Sequence, residues 1–355
     1  MALLHFTASD FRCLASIELE ASPNYNLIHG ANASGKTSLL EAIAYLGRGK
    51  ALRGATTQNL VRHGQAEFTL VGRARGATRT SVLGVRNGRN GLEIHIDGAQ
   101  ARGAAELAET LPLQAVDPEI HNLVAGGPDE RRRYLDWSVF HVEHAYVQHW
   151  RRYRRALRQR NAALKTGGGP RSIRAWDSEL LEAAAEVTAA RERSTETLQA
   201  ALEPIAEEML GGGVGLEYQP GWPRGKSLED ALGASLERDH ATGTTNVGPH
   251  RADLRLVFNE RQARRLVSRG QQKLLACTLV FASVELVQAK IQRPVVLLLD
   301  DPAAELDAPA LGRLLDAVSG LGCQVIATAL DPGLSQLPEE PALFHVEHGV
   351  LRREK

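Results

Sequence analysis

Near its amino end the chain carries glycines and a Lys-Thr pair at a fixed spacing, in the segment GANASGKTS. Residues 30–37 fit the pattern G-x-x-x-x-G-K-[ST], in which backbone N–H groups at a helix start surround a phosphate. In such a loop Lys36 reaches the β- and γ-phosphates, and the Thr37 hydroxyl ligates Mg²⁺. The segment therefore predicts an ATP site formed by consecutive residues, namely Gly30, Ala31, Asn32, Ala33, Ser34, Gly35, Lys36, Thr37 and Ser38.

An acidic segment lies far away in sequence, where the apolar run VVLLL ends in two aspartates. This composition is typical of a buried parallel strand, and a carboxylate at its end can hold Mg²⁺ beside bound phosphates. We expect Asp300 to ligate the metal and Asp301 to orient or deprotonate the attacking water. With Lys36, these are the predicted catalytic residues. Gln114, in LPLQAVDPE, is a further candidate for sensing Mg²⁺.

A third segment, LVSRGQQKLLACTLVFA, begins an apolar helix with small and polar residues. Ser268, Gly270 and Gln271 would form an anion site at the helix N-terminus. Lys36 already serves the phosphates of its own site, so this second site fits the γ-phosphate held by another copy of the chain. The segment AELD, with Glu305 and Asp307, fits the same ATP-sandwich dimer. A serine N-cap beside a glycine turn is the simpler alternative.

The elements that must position these segments divide the chain into three parts. Strand-like patterns dominate both ends, whereas the middle shows almost no strand signal. There, apolar residues recur at helical spacing over residues 139–164 and 176–209, separated by the breaker TGGGP. We therefore predict an α/β nucleotide-binding head that is split in sequence and carries an inserted α-helical hairpin arm. The predicted parts are 1–115, the first half of the head; 116–240, the arm; and 241–355, the second half.

The composition is that of an ordinary globular protein, with 43% hydrophobic and 24% charged residues. Lys+Arg 42 balances Asp+Glu 42, so any attraction to nucleic acid must come from a local patch. The three cysteines are scattered and indicate neither a disulfide framework nor a zinc site. The amino terminus lacks the pattern of a signal peptide. We expect a cytoplasmic protein that is not associated with a membrane.

Two segments, ERRRYLDW and WRRYRRALRQR, are locally very basic. Arginines of the second segment recur at i, i+3, i+4 and i+7 and therefore share one helix face. Such a row suits contact with DNA phosphates, which supply most sequence-independent affinity. The alternative is a solvated face whose charges pair with acids of the second helix. The predicted DNA-binding residues are Arg151, Arg154, Arg155 and Arg158.

In their order, these segments resemble the ABC-type heads of SMC and Rad50 proteins, and over nearly the whole chain they resemble the RecF family of bacterial recombination mediators. The resemblance rests on FRCLASIELE, GANASGKTSLLEAIAYLGRGKALRG, GGPDERRRYLDW, RQRNAAL, NVGPHRADL, LVSRGQQKLLACTLVFA and LLLDDPAAELD. It implies slow DNA-stimulated ATP hydrolysis, an ATP-dependent homodimer, and binding at gapped or single-strand/double-strand junction DNA. In that family this activity helps load the RecA recombinase, together with RecR and RecO, in DNA repair and replication.

Two positions depart from the wider ABC pattern. Asp301 stands where many such ATPases have Glu, and Thr328, in QVIATAL, stands where transporters commonly have a switch histidine. Both departures favour a slow switch over a fast motor. The ATPase subunit of an ABC transporter is a competing function, although such subunits keep the signature and acidic strand far closer to the phosphate loop. A purely structural SMC-like chromosome protein is a third, which would need much longer coiled coils.

Overall fold

The computed structural model describes residues 2–52, 56–76, 78–258, 261–262, 268–304, 306–334 and 340–354. The chain divides into two compact units. Unit 1 comprises Met1–Ile120 and Val287–Lys355, and unit 2 comprises His121–Leu286, which lies between them in sequence. The sequence analysis placed the second boundary at 240, whereas the compact inserted unit continues to Leu286. A small sheet and most of a long apolar helix belong to it.

Unit 1 contains two six-stranded sheets and helices packed against them. The strands are β1 Ala2–Phe11, β2 Leu14–Glu20, β3 Tyr25–His29, β4 Glu67–Arg75, β5 Thr80–Gly88, β6 Gly91–Ile96, β7 Ala99–Gln100, β8 Leu113–Val116, β12 Val296–Leu299, β13 Gln324–Ala329, β14 Ala342–Glu347 and β15 Val350–Arg353. The helices within it are α1 Lys36–Arg48, α2 Thr57–Leu60, α3 Ala104–Thr110 and α11 Ala308–Gly320.

The first sheet is antiparallel, in the order β2-β1-β4-β5-β6-β7. Its strands alternate between buried and solvent-facing residues, as a sheet with one covered face requires. In β5 every second residue from Ser81 to Asn87 is buried. The covered face shares one hydrophobic core with α1, whose residues Leu39–Leu46 are all buried.

The second sheet has the order β15-β14-β3-β13-β12-β8, and its central strands run parallel. β12 is buried along its whole length, which explains its unbroken apolar sequence. The two sheets are joined by Gln324, whose side-chain amide bonds both the N–H and the carbonyl of Leu3. Because parallel strands end at one edge, β3, β13, β12 and β8 deliver the residues that follow them to the same side, where ligands of open α/β sheets bind.

Unit 2 is mainly helical and includes a three-stranded sheet in the order β11-β10-β9. Its elements are α4 Asn122–Ala125, α5 Pro128–Val142, α6 Tyr146–Lys165, α7 Pro170–Arg174, α8 Asp177–Leu210, β9 Val214–Gln219, α9 Leu228–Thr242, β10 Asp253–Phe258 and β11 Arg261–Gln262. A further helix, α10 Arg269–Ile291, begins in unit 2 and ends in unit 1.

The predicted helical hairpin is present, but its first helix is not continuous. The apolar stripe from 139 to 164 is divided between α5 and α6, because Glu143 adopts an extended backbone with φ −112° and ψ 96°. α6 has 20 residues and is therefore about 30 Å long, shorter than the about 40 Å expected of one helix. The second predicted helix is confirmed by α8, which spans 34 residues.

The hairpin interior holds two fully buried arginines as well as apolar side chains. Arg191 of α8 donates to both carboxylate oxygens of Asp136 at 2.8 and 3.0 Å. Arg160 of α6 donates to Asp239 of α9 at 2.8 Å and to Asp177 at 3.1 Å. A buried charge is tolerated only when it is paired and hydrogen-bonded, as both arginines are. These pairs fix how α5, α6, α8 and α9 pack together.

Candidate nucleotide-binding site

The phosphate loop connects the buried strand β3 to helix α1 in unit 1. Gly30 has φ +152°, and a Cβ atom there would lie 2.3 Å from the carbonyl oxygen of Val346, so only glycine fits. Gly35 precedes the helix with φ +115°. The loop is anchored by a hydrogen bond from the Gly349 N–H to the Ser34 carbonyl at 2.9 Å. A close backbone contact therefore requires glycine at position 30, and the positive φ favours glycine at position 35.

Lys36 lies in the first turn of α1 with its ammonium group curled over the loop. Its Nζ donates to the carbonyl oxygens of Gly30 at 2.6 Å and Ala31 at 2.9 Å. Burial lowers the pKa of Lys36, while the nearby carboxylates of Asp301 and Asp300 act in the opposite direction. The predicted lysine and the two predicted aspartates therefore form one electrostatic cluster at the carboxyl edge of the parallel sheet.

Asp300 follows the end of β12 and is brought to the helix start next to the loop. Its Oδ1 accepts a hydrogen bond from the Thr37 hydroxyl at 3.1 Å and from the Thr328 hydroxyl at 2.9 Å. Asp300 is buried, with 7% of its surface exposed. Residues more than 260 positions apart in sequence thus meet, as the two halves of a nucleotide site must. A hydroxyl and a carboxylate side by side are hard oxygen donors of the kind that Mg²⁺ prefers.

Asp301 is next in the chain and has an unusual backbone conformation, with φ +49°. Aspartate is among the few non-glycine residues that tolerate this left-handed region. The Asp301 N–H donates to the Thr328 hydroxyl at 2.9 Å, which fixes the turn. The chain therefore bends sharply after Asp300, and Asp301 does not continue the direction of strand β12.

The chain matches the RecF/RecN/SMC N-terminal domain family over residues 2–350. It is 41% identical to the DNA replication and repair protein RecF of Pseudomonas paraeruginosa (strain DSM 24068 / PA7), covering 99% of this chain and 97% of that protein. It is also 41% identical to RecF of Azotobacter vinelandii (strain DJ / ATCC BAA-1303), covering 99% and 98%. The chain belongs to the RecF family. This whole-length match sets aside the transporter ATPase subunit.

Solved structures agree with the RecF assignment. The structure of the recombination mediator RecF with ATP, in the RecFOR pathway, superposes with a TM-score of 0.91 at 26% identity, covering 100% of this chain and 98% of that one. An SMC head bound to the C-terminal winged-helix domain of ScpA has a TM-score of 0.61 at 15% identity, which shows the fold alone. The predicted fold class, an α/β P-loop head of the SMC type, is confirmed.

In this RecF-family chain the signature residues lie at the start of α10, in unit 2. Ser268 and Gln271 are exposed and bond each other reciprocally: the Ser268 N–H donates to Gln271 Oε1 at 2.9 Å, and the Gln271 N–H donates to Ser268 Oγ at 3.3 Å. This capping box matches the simpler alternative considered for the segment. Gly270, between them, is half-buried. Both polar side chains still face solvent, where a second molecule can reach them.

The segment after the acidic strand is only partly described. Asp307 is the N-cap of α11, and its side chain accepts a hydrogen bond from the Ala310 N–H at 2.8 Å. Glu305, the other predicted residue of this segment, lies outside the described residues. The structure therefore gives Asp307 a local helix-capping role.

Gln114 is not brought to Thr37 and Asp300. It pairs with Leu297 in the β8–β12 register, whereas its neighbour Ala115 pairs with Leu298. Alternate strand residues face opposite sides, so Gln114 lies on the face away from Asp300. Ala115 and Asp117 line the same cleft as Thr37 and Asp300. Asp117, the residue directly after β8, lines this cleft, and the sequence analysis missed it.

The two basic segments have different environments in unit 2. In the first segment, ERRRYLDW, Arg131 is buried and donates to both carboxylate oxygens of Asp253 at 2.8 and 3.0 Å. Arg132 of the same segment donates to the Ala252 carbonyl. This segment is therefore largely structural. On α6 the predicted row is exposed, and none of its members forms an ion pair with a described carboxylate; these residues are Arg151, Arg154, Arg155 and Arg158. Their neighbour Arg152 is the one held by Glu179 and Glu182.

Helix α10 is long and apolar enough, by length and composition, to cross a bilayer. However, 72% of its most apolar window is buried inside the protein, as in the core helix of a globular domain. The helix is therefore weak evidence for a membrane span.

Proposed function

We propose that this chain is an ATP-dependent DNA-binding protein of recombinational repair and replication. It dimerises on ATP at gapped or single-strand/double-strand junction DNA and helps to load RecA together with RecR and RecO. Its ATPase is weak and stimulated by DNA, and it acts in the cytoplasm. The observation that carries this proposal is the junction of Lys36, Thr37 and Asp300 at one sheet edge in a chain of the RecF family.

The loop and its surroundings fit a magnesium-bound ATP. Ser34 Oγ is buried and has no hydrogen-bond partner among the described residues, so it has a donor and lone pairs available to a ligand. Lys36 would neutralise the β- and γ-phosphates in place of its contacts to loop carbonyls. Thr37 and Asp300 would hold Mg²⁺, which balances phosphate charge when bound. Asp301 would orient or deprotonate the attacking water.

The exposed capping box at the start of α10 supports an ATP-sandwich dimer. A helix N-terminus favours an anion, and the hydroxyl of Ser268 and the amide of Gln271 add donors at its surface. With Gly270 between them, a phosphate can approach the backbone closely. In this proposal the two copies exchange these contacts, so each ATP is covered by the α10 start of the other protomer.

The arginine row on α6 supports contact with DNA. Its members are exposed and free of ion pairs with described carboxylates, so they need not break internal bonds to reach phosphates. Arg154 lies 6.0 Å from the ring of Trp150, which steadies its side chain without neutralising it. Arg152 forms the ion pairs with acids that the alternative requires, and Arg155 adds a weaker charge interaction with Glu179.

Ser268→Arg tests the dimer. A bulky cation at the start of α10 should block closure of the sandwich, whereas residues 30–37 remain untouched. The folded variant should bind ATP with parental affinity but remain monomeric, and its hydrolysis should no longer respond to DNA. Light scattering with ATP and with ADP, beside a titration with a fluorescent ATP analogue, measures both properties.

Ser227→Arg is a matched control, because Ser227 is likewise an exposed serine N-cap, at the start of α9. It should dimerise as the parent does. A Ser268→Arg protein that still dimerises with ATP would contradict the sandwich. A parental protein that neither binds ATP nor DNA would contradict the proposed function as a whole.

A further inference from the structure

Thr328, noted above at the position where transporters commonly have a switch histidine, hydrogen-bonds both aspartates of the nucleotide site. Thr328 is inside β13 and fully buried, with 0% of its surface exposed. The residue after the strand end is Leu330, which is half-exposed and apolar. The β12–β13 register pairs Leu299 with Ala327, so Thr328 is level with Asp300. Thr328 of β13 therefore lies beside Asp300, which follows the neighbouring strand β12.

The hydroxyl of Thr328 has contacts in both directions. It carries one proton and two lone pairs. The Asp301 N–H at 2.9 Å can only donate, so the hydroxyl oxygen must accept it. The single proton is then available to Asp300 Oδ1 at 2.9 Å, which can only accept when ionised. The Leu299 carbonyl, at 3.5 Å, is a much weaker competitor. One side chain thus bonds the two consecutive aspartates.

These two bonds have different effects. The bond to Oδ1 holds the Asp300 carboxylate in one rotation, with Thr37 on the same oxygen at 3.1 Å. The bond from the Asp301 N–H stabilises a left-handed backbone that a non-glycine residue adopts only with support. The direction of the Asp301 side chain depends on that backbone. The Thr328 hydroxyl therefore holds Asp300 by its carboxylate and Asp301 by its backbone N–H.

We propose that Thr328 is a positioning residue that sets the geometry of both aspartates, so that metal holding by Asp300 and water activation by Asp301 depend on one hydroxyl. This inference rests on the proposed ATPase function. It requires a hydroxyl at position 328, whereas a packing role requires only a side chain of this size. Valine and serine separate the two: valine keeps the shape without the hydroxyl, and serine keeps the hydroxyl without the methyl group.

The experiment compares Thr328→Val and Thr328→Ser with the parent and with Thr278→Val. Thr278 is a matched control, since it is fully buried and, among the described residues, its hydroxyl bonds only the Leu274 carbonyl of its own helix and the Met209 sulfur. Four quantities are measured: unfolding temperature without ligand, affinity for a fluorescent ATP analogue in EDTA, affinity for Mn²⁺ in the presence of that analogue by electron paramagnetic resonance, and the single-turnover hydrolysis rate at saturating ATP.

We expect Thr328→Val to bind the analogue in EDTA as the parent does. Its Mn²⁺ affinity and hydrolysis rate should each fall by about 10- to 100-fold, the usual effect of losing a group that orients a metal ligand. Thr328→Ser and Thr278→Val should stay close to the parent in all four measurements. If Thr328→Val does not fold, Thr328→Ala removes the hydroxyl without the added methyl group and takes its place.

Two results would overturn the inference. Parental Mn²⁺ affinity and hydrolysis in Thr328→Val would show that the hydroxyl is dispensable. Equal losses of Mn²⁺ affinity and hydrolysis in the serine and valine variants, accompanied by a lower unfolding temperature and weaker binding of the analogue in EDTA, would show that Thr328 acts through packing alone. Either result is distinct from failure of the proposed function, in which the parent itself would not hydrolyse ATP.

Discussion

Replacing the exposed α6 arginines by alanine should flatten the salt dependence of DNA binding. Each phosphate contact contributes about 0.9 to the slope of log affinity against log salt for duplex DNA, so losing four should lower the slope by about 3.6. Between about 50 and 200 mM salt, that difference corresponds to about 150-fold in affinity. Fluorescence anisotropy with a gapped duplex, repeated across this salt range, measures the slope. The changed residues are Arg151, Arg154, Arg155 and Arg158.

Arg152→Ala is the matched control within the same helix. Both oxygens of Glu179 hold the Arg152 guanidinium, at 2.8 and 2.9 Å, so it is less available to a phosphate. We expect its slope to equal the parental one, although the net charge changes by one unit. The fourfold variant should remain folded, because exposed arginine and alanine are both good helix formers. A parental slope in the fourfold variant would show that DNA binds elsewhere.

Three further changes test the site and the arm. Lys36→Met should weaken ATP binding by about 100-fold or more, because a buried charge-assisted contact is lost, and a fluorescent-analogue titration measures this. Asp301→Asn should retain ATP binding but slow single-turnover hydrolysis by about 100-fold or more, the lower range for loss of a general base; hydrolysis at the parental rate would assign that role elsewhere. Burial lowers the pKa of His250 from 6.5 to about 4, so between these values the unfolded chain binds a proton that the folded chain does not. The free energy of unfolding should therefore decrease as pH falls, by about 2 kcal/mol at pH 5. Urea denaturation at pH 8 and at pH 5 measures this decrease, which should be smaller in His250→Gln than in the parent.

Local patterns predicted the elements that carry the nucleotide site, but not their ends. A glycine within a helical pattern often marks the end of the helix, yet α1 runs past Gly47 to Arg48 and is capped by Gly49 with φ +62°. A Cβ at Gly47 would lie 2.3 Å from the Leu113 side chain, so this glycine serves helix–strand packing. Such a requirement comes from a strand far along the chain, which no local pattern reveals.

The sequence also could not predict most contacts between side chains that are far apart along the chain. The phosphate-loop pattern correctly implied that Thr37 and Asp300 meet, because the chemistry demands it. The face on which Gln114 lies depends on strand register, which a one-residue shift reverses. Likewise, composition could not separate Arg131 from the exposed arginines of α6, since its ion pair is with Asp253, 122 positions away.

The buried pairs inside the arm restrict how its sequence can diverge. Asp239 is fully buried and accepts hydrogen bonds from Arg160, the Asn246 side chain and the Asn246 N–H. Removing one partner of a buried ion pair costs about 3–5 kcal/mol, whereas replacing both by packed apolar residues is often neutral. A lineage that changes Arg160 first must therefore pass through a destabilised intermediate. Arg160 and Asp239 should be inherited or lost together, so the arm interior changes in compensated steps.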